Sequence, residues 1–146
     1  MGAFGFIFRQ LTDKPKPLPK SVNLQGKTAL VTGANGGLGL EASKELVAHG
    51  LSCLILGVRI SSKAEDAKKA ILQINPSVII QLWEFDQESF ECIKVFADRA
   101  AALNRLDAVI LNAGVKRITY GKSTQGCHEA NIQVCNGNTI VANLTL

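Results

Sequence analysis

The segment TGANGGLG, from Thr32 to Gly39, decides the fold of this chain. Four of its eight residues are glycine, and it directly follows the apolar run TALV of residues 28–31. Glycine permits tight turns and lets the backbone approach a ligand closely. A helix that starts after such a loop presents unpaired N–H groups and the positive end of its dipole to an anion. We therefore expect the loop to bind the phosphates of a nucleotide; an ordinary glycine-rich turn between strand and helix is the alternative.

The rest of the chain alternates apolar runs with stretches of helical spacing. Strands are predicted within KTALVTG (27–33), SCLILGV (52–58), SVIIQLWEFD (77–86) and LDAVILNAG (106–114), and helices at 41–49, 61–74 and 88–103. A last helix is expected from Cys127 or His128 to Leu146. Strands that are apolar on both faces and separated by helices indicate a parallel sheet covered on both sides, which is the α/β class. The apolar faces of the second and third helices are expected to comprise Ala67, Ala70, Ile71 and Ile74, and Phe90, Ile93, Val95, Phe96 and Ala100.

The net charge of +4 comes entirely from the first 27 residues, because residues 28–146 contain 11 basic and 11 acidic side chains. The body of the chain therefore lacks the basic surface of a nucleic-acid-binding protein, and no nucleic-acid partner is expected. Three prolines within DKPKPLPKS (13–21) predict an extended arm, so we divide the chain into a basic leader at 1–24 and one domain at 25–146. The leader is either a solvated tail or a weak membrane-surface contact through Phe4, Phe6, Ile7 and Phe8.

Targeting and cysteine patterns both favour a cytoplasmic protein. No apolar run reaches the ~18–20 residues of a transmembrane helix, and the start lacks the features of a secretory signal. The four cysteines, at 53, 92, 127 and 135, form no CxxC pair. Cys127 precedes His128, but no second ligand pair follows at zinc spacing, so free thiols are expected rather than a metal site.

Several motifs together resemble the classical type of the short-chain dehydrogenase/reductase family. The glycines follow the spacing T-G-x-x-x-G-x-G, NAG (112–114) ends the fourth predicted strand, and Asp86 ends the third. The helix start GLGLEASKEL resembles the helix that follows the family's glycine loop. The leader is similar to the start of fungal members, which are often found in secondary-metabolite pathways. The resemblance implies the first half of a Rossmann-type doubly wound sheet with strand order 3-2-1-4, and oxidoreductase activity on ketones and alcohols.

The resemblance also implies a set of residues that contact the nicotinamide dinucleotide. Gly33 would make the turn out of the strand, Gly37 would let the backbone approach the pyrophosphate, and Gly39 would allow close packing of helix on strand. Asp86 would accept a hydrogen bond from the adenine amine, although DQES is also typical of a helix N-terminal cap, and both roles can hold. The remaining contacts would come from Asn35, Leu38, Asn112, Ala113 and Gly114, with Asn112 also stabilising the central strand.

Arg59 favours NADP(H) over NAD(H) as the cofactor. An NAD site generally has a carboxylate at the end of the second strand, roughly 20 residues beyond the glycine motif. Here Arg59 stands 20 residues after Gly39, and the next acidic residue is Glu65. A guanidinium suits the 2′-phosphate of NADP(H), to which it can donate charge-assisted hydrogen bonds.

The family's proton donor, a Tyr followed by a Lys four residues later, has no match in this sequence. Tyr120, the one tyrosine, is followed by Lys122 at the second position and is expected in a loop. Near the family's helical Asn, the segment QVCNGN is one residue short, so Asn136 is only an uncertain substitute. No catalytic residue is therefore assigned, the substrate is unknown, and the chain is expected to be inactive by itself. Alternatives are a non-catalytic nucleotide-binding remnant or partner subunit that uses the open edge of its sheet for association, and a nucleotide-binding module outside the oxidoreductases.

Overall fold

The computed structural model describes residues 12, 19, 21–59, 62–114, 118–121, 131–134 and 141. Strands and helices alternate along them: β1 (Thr28–Thr32), α1 (Gly37–Ala48), β2 (Cys53–Val58), α2 (Ser62–Leu72), β3 (Ile79–Glu84), α3 (Phe90–Ala101) and β4 (Ala108–Ile110). Residues 131–134 and 141 are helical, which agrees with the predicted last helix. The other residues of that helix, and most of the predicted leader, lie outside the described ranges.

The four strands form one parallel sheet with the order β3-β2-β1-β4. This confirms the α/β class and the predicted strand order. The register pairs Thr32 with Gly57 and Val31 with Ile110, so β1, β2 and β4 end at the same level of the sheet. Ligands of open α/β sheets bind beyond the carboxyl ends of the strands, and this edge is therefore where the site is expected.

Alternate residues of each strand pack into two separate cores, because successive side chains of a strand point to opposite faces. On one face, Ala29 and Val31 of β1 pack with Val47 of α1 and Ile71 of α2. On the other face, Leu30 of β1 packs with an aromatic group that includes one residue of α3. That group consists of Trp83, Phe85 and Phe96. The sheet is therefore covered on both sides, as the doubly apolar strands predicted.

The predicted apolar helix faces need three corrections. In α3 the buried residues are Ile93, Phe96, Ala97 and Ala100, whereas Phe90 and Val95 are 42% and 59% exposed. In α2 the buried residues are Ala64, Ala67 and Ile71, whereas Ile74 is 43% exposed. Side chains three, four and seven positions apart share one face of a helix, and Val95 lies off the stripe that starts at Ile93. Ile74 follows the end of α2, so helical spacing no longer sets its direction.

The strands and helices are shorter than predicted at most of their ends. The difference is largest in β4, which has three residues instead of the nine predicted. Beyond Ile110 the backbone leaves the ladder because the N–H groups of Asn112 and Ala113 donate to the Thr32 hydroxyl, each at 3.1 Å. A side chain of β1 thus replaces the backbone carbonyl that a continued parallel ladder would use.

Asp107 connects the amino ends of β1 and β4 through hydrogen bonds. These strand ends lie on the side of the sheet opposite the glycine loop. Its Oδ2 accepts hydrogen bonds from the Thr28 N–H at 2.9 Å and from Arg105 Nε at 2.7 Å. Its Oδ1 lies 3.2 Å from Lys27 Nζ. The Arg105 hydrogen bond, followed by the Thr28 N–H, holds the pKa of the Asp107 carboxyl well below its usual range. The charged carboxylate therefore stabilises the point where the two strands begin.

Candidate functional site

The chain turns sharply where β1 ends, and glycine is required at two positions of this turn. Gly33 has φ +66° and Gly37 has φ +55°, a region of backbone conformation that side chains other than glycine rarely adopt. The Gly33 N–H donates to the carbonyl oxygen of Gly57 at 2.8 Å, so the turn is anchored to the end of β2. Gly33 makes the turn as predicted. A Cβ at Gly37 would have no heavy atom within 4 Å, so the space around it is open to a ligand.

Gly39 brings α1 into contact with the end of β1. A Cβ at this position would lie 2.5 Å from the Gly33 carbonyl oxygen and 2.5 Å from Asn112 Nδ2. Real Cβ atoms do not approach other atoms so closely, so only glycine fits without a shift of the backbone. This confirms the prediction that Gly39 permits close packing of helix on strand. It also shows that the packing partner includes Asn112, which the sequence placed on a different strand.

Among the residues that the structure describes, no side chain caps the amino end of α1. Gly36 is the N-cap, it makes no side-chain hydrogen bond, and the first turn of the helix contains no acidic residue. Gly36, Gly37 and Leu38 are all exposed. The first N–H groups of a helix have no intrahelical acceptor, so this end offers an anion both donors and the positive end of the helix dipole. The helix begins at Gly37, four residues earlier than Glu41, where the sequence placed it.

Asn112 and Thr32 connect the NAG segment to the glycine turn. Asn112 Nδ2 donates to the carbonyl oxygens of Thr32 at 3.2 Å and Gly33 at 3.3 Å. In the opposite direction, the buried hydroxyl of Thr32 accepts from the backbone N–H groups of Asn112 and Ala113. The stabilising role predicted for Asn112 is therefore carried by its hydrogen bonds to the glycine turn. Thr32 is a residue that the sequence analysis missed, although it stands at the start of the quoted segment.

Asp86 lies two residues beyond β3, in the turn that leads to α3. Its Oδ1 accepts the Glu88 N–H at 3.0 Å, and its carbonyl oxygen accepts the Ser89 N–H at 3.2 Å. The N-cap of α3 is Ser89, whose hydroxyl accepts the Cys92 N–H. The prediction of Asp86 as the helix cap is therefore wrong: a cap must stand directly before the first helical residue, and α3 begins at Phe90. Asp86 instead closes the turn that precedes the cap.

Arg59 directly follows β2 and is exposed. It makes no ion pair with any other residue that the structure describes. Its position at the carboxyl end of β2, beside the end of β1, is where the second strand of such a sheet meets the ribose of a dinucleotide. Arg59 therefore lies at the same side of the sheet as the glycine turn.

A cleft of about 300 Å³ lies at this edge of the sheet. It brings together seven of the residues predicted from the sequence: Gly33, Asn35, Arg59, Asp86, Asn112, Ala113 and Gly114. Gly37, Leu38 and Gly39 do not line it, and Leu38 is 83% exposed. Five further lining residues were missed: Gly36, Phe85, Gln87, Glu88 and Val134. The segment 85–88 follows β3 directly, and this position at the end of a strand could have identified its residues as part of the cleft.

Tyr120 does not join the cleft. It is 78% exposed and is not among the lining residues. The region 118–121 is neither helix nor strand, so the prediction of a loop is confirmed for these residues. Lys122, Cys135 and Asn136 lie outside the described ranges.

Cys53 and Cys92 are free thiols, whereas Cys127 and Cys135 lie outside the described residues. Burial raises the pKa of the Cys53 thiol, and a hydrogen bond with Thr28 opposes this effect. Within the described ranges, no three His, Cys, Asp or Glu side chains are grouped closely enough to hold a metal ion. In that same part of the chain, no helix has both the length and the apolar character needed to cross a membrane.

Comparison with solved structures shows the same fold. The structure is similar to a short-chain dehydrogenase from Sphingobium yanoikuyae in complex with NADPH, with a TM-score of 0.69 and 19% identity over 82% of this chain and 46% of that one. It is equally similar to a 3-oxoacyl (acyl-carrier-protein) reductase from Agrobacterium tumefaciens with NADP bound, with a TM-score of 0.69 and 21% identity over 86% of this chain and 48% of that one.

Comparison of sequences gives closer similarity to fungal proteins. The chain is 54% identical to "Short chain dehydrogenase sol3" of Alternaria solani over 145 residues, which are 99% of this chain and 50% of that protein. It is 42% identical to "Short chain dehydrogenase virL" of Hypocrea virens over 89% of this chain and 38% of that protein. The chain thus spans half the length of these relatives or less. The family model "short chain dehydrogenase" matches residues 27–145, and this chain belongs to that family.

Proposed function

We propose that the chain binds NADP(H) in the cleft at the carboxyl edge of the sheet. The uncapped amino end of α1 supports this most directly, because it presents unpaired N–H groups to an anion beside glycines that leave the space open. In this proposal the turn at Gly33–Gly39 holds the pyrophosphate, with Gly37 and Leu38 at its approach. Asp86 accepts from the adenine amine, and Asn35, Ala113 and Gly114 border the ribose and the nicotinamide side.

Arg59 supports NADP(H) rather than NAD(H). It lies at the cleft directly after β2, and the residue that would bind a ribose 2′-hydroxyl as a carboxylate is absent from this end of the strand. A guanidinium can instead donate two parallel hydrogen bonds to a 2′-phosphate. Both similar structures named above contain NADPH or NADP, which agrees with this choice.

The Arg59→Ala variant tests the cofactor assignment. Titration calorimetry with NADPH and with NADH gives the two dissociation constants for each protein. We expect the variant to lose about tenfold or more in NADPH affinity and little in NADH affinity, because only NADPH carries the phosphate. Arg99→Ala is the matched control, since Arg99 stacks on Trp83 outside this cleft. Equal losses for the two dinucleotides would contradict the assignment.

We further propose that the whole protein is an oxidoreductase that reduces a ketone or oxidises an alcohol. The nicotinamide group, when bound, accepts or donates the hydride. The residues of this chain bind and orient the dinucleotide, and no residue is proposed to move the proton. The names of the fungal relatives support membership of the same enzyme class, and a role in secondary metabolism rests on the resemblance to fungal members.

A second candidate function is a non-catalytic nucleotide-binding chain or partner subunit. It is favoured by Tyr120, which is 78% exposed, lies outside the cleft, and is not followed by a Lys four residues later. The assay is NADPH oxidation by the purified 146-residue chain with a panel of ketones. Binding without turnover is expected. Turnover by this chain alone would overturn the proposed inactivity.

The open edge of the sheet supports self-association as part of this proposal. Within the described residues, β4 pairs with β1 on one side only, and its other side exposes unpaired backbone groups. Such an edge can pair with a second chain.

The free thiols of Cys53 and Cys92 favour a reducing compartment and so support a cytoplasmic location.

A further inference from the structure

Cys92 connects both ends of the turn that carries Asp86. Its Sγ accepts a hydrogen bond from the Asp86 N–H at 3.2 Å and lies 3.8 Å from the Glu84 carbonyl oxygen, to which the thiol donates weakly. The Cys92 N–H in turn donates to the hydroxyl of Ser89 at 3.3 Å. One side chain thus joins the end of β3, the turn and the first turn of α3.

Asp86 lies in the wall between two clefts. One is the proposed dinucleotide cleft, and the other is a cleft of about 500 Å³ on the α3 side, which Cys92 also lines. Because Oδ1 of Asp86 accepts the Glu88 N–H, the carboxylate is held in one orientation, and Oδ2 is the oxygen left for a ligand. The backbone of Asp86 is fixed from the other cleft by the Cys92 sulfur. Asp86 is therefore a residue that the two clefts share.

We propose that Cys92 is a positioning residue that sets the selectivity of the site for adenine, acting through Asp86. This inference rests on the proposed function, because it needs a dinucleotide in the first cleft. Cys92 does not itself line that cleft. Without the sulfur, the part-buried Asp86 N–H loses its acceptor, and the turn must rearrange to satisfy it. The carboxylate then no longer points at the place where the base binds.

A carboxylate that accepts from the adenine amine rejects a base with an oxygen at that position. The hypoxanthine analogue of NADPH carries such an oxygen and also a proton on N1 of the base, whereas its phosphates, riboses and nicotinamide are unchanged. The ratio of the two dissociation constants therefore measures the contacts made to the exocyclic group and N1 of the base and cancels contributions from the phosphates, the riboses and the nicotinamide. The part of this ratio that Asp86→Ala removes is the contact made by Asp86. A residue that only stabilises the fold would change both constants by the same factor.

The experiment compares the wild-type chain with Cys92→Ala, Cys92→Val and Cys92→Ser by titration with both dinucleotides. We expect wild type to prefer NADPH by about tenfold or more, since a bond to a charged group is replaced by a repulsion. The Ala and Val side chains lack a hydrogen-bond acceptor, so both variants should reduce the ratio of the two dissociation constants to near one. Asp86→Ala should have the same effect. Ser keeps a donor and an acceptor and should restore much of the preference. If Cys92→Ala does not fold, Cys92→Val gives the same test.

Cys53→Ser is the matched control, because Cys53 starts β2 at the opposite edge of the sheet and should leave the preference unchanged. An unchanged preference in Cys92→Ala and Cys92→Val would overturn the inference and leave the proposed function intact. Equal wild-type affinity for both dinucleotides would overturn the role of Asp86 and the inference with it. Failure of the wild type to bind either one would overturn the proposed function and this inference together.

Discussion

Asn112 Nδ2 lies 3.3 Å from the carbonyl oxygen of Gly33, so a residue two positions beyond β4 holds the turn that follows β1. The same amide donates to the Thr32 carbonyl oxygen at 3.2 Å. Gly39 packs against this pair and has no space for a Cβ. The glycine turn is therefore supported from behind by a side chain almost 80 residues later in the sequence, and its shape depends on that support.

The Asn112→Ala variant is expected to lower the free energy of unfolding by about 1–2 kcal/mol, because two part-buried carbonyl oxygens lose their donor. NADPH affinity should fall as well, since the turn is no longer held. Urea denaturation and calorimetric titration measure the two effects. Asn104→Ala is the control at an exposed position and should change neither quantity. An Asn112→Ala variant with wild-type stability would contradict the supporting role.

The Gly39→Ala variant is expected to destabilise the fold by about 1–3 kcal/mol, because the new Cβ would lie 2.5 Å from the Gly33 carbonyl oxygen and from Asn112 Nδ2. Gly114→Ala is the matched control, because the nearest atom to a new Cβ at this position is the Asn112 carbonyl oxygen at 4.0 Å. Thermal unfolding followed by circular dichroism compares the two variants. Equal changes in their melting temperatures would argue against close packing at Gly39.

Asp107→Asn is expected to lower stability at neutral pH, and the difference from wild type should become smaller as the pH falls below about 4. The pKa of the Asp107 carboxyl lies below its unfolded value, chiefly because of Arg105. Its contribution is therefore present above about pH 4 and is lost as the pH falls from there through the folded pKa. Urea denaturation of both proteins between about pH 3 and 7 measures this difference. If the difference in unfolding free energy between the two proteins grew in acid, it would contradict the stabilising role of the Asp107 carboxylate.

Ala108→Lys is expected to weaken self-association through the edge of β4. Ala108 is exposed at the start of this edge strand, and a lysine there opposes pairing with a second strand. Sedimentation velocity over a range of protein concentrations should show association of wild type and a shift towards monomer in the variant. Gln73→Lys adds the same charge on an exposed position after α2 and should have no effect. If the wild-type chain is monomeric over this concentration range, the proposed self-association through β4 is wrong.

Much of the fold could be predicted because its signals are local. The alternation of apolar runs and helical spacing predicted every strand and helix from β1 to β4, and the strand order followed from the family resemblance. Errors occurred where a helix ends or where an apolar residue lies beside the buried stripe, as with Ile74 and Val95. At those positions the direction of a side chain depends on which neighbouring element it faces, and residue spacing does not contain that information.

The sequence by itself determined the glycine turn, because positive φ at Gly33 and Gly37 and the close approach at Gly39 are demands on single residues. It also placed Arg59 and Asp86 at strand ends that meet at one edge. Only the tertiary structure decided that the Thr32 hydroxyl holds Asn112 and Ala113, that Ser89 rather than Asp86 caps α3, and that the Cys92 sulfur fixes the Asp86 turn. These contacts depend on distances between atoms that packing brings together, and no local pattern encodes such distances.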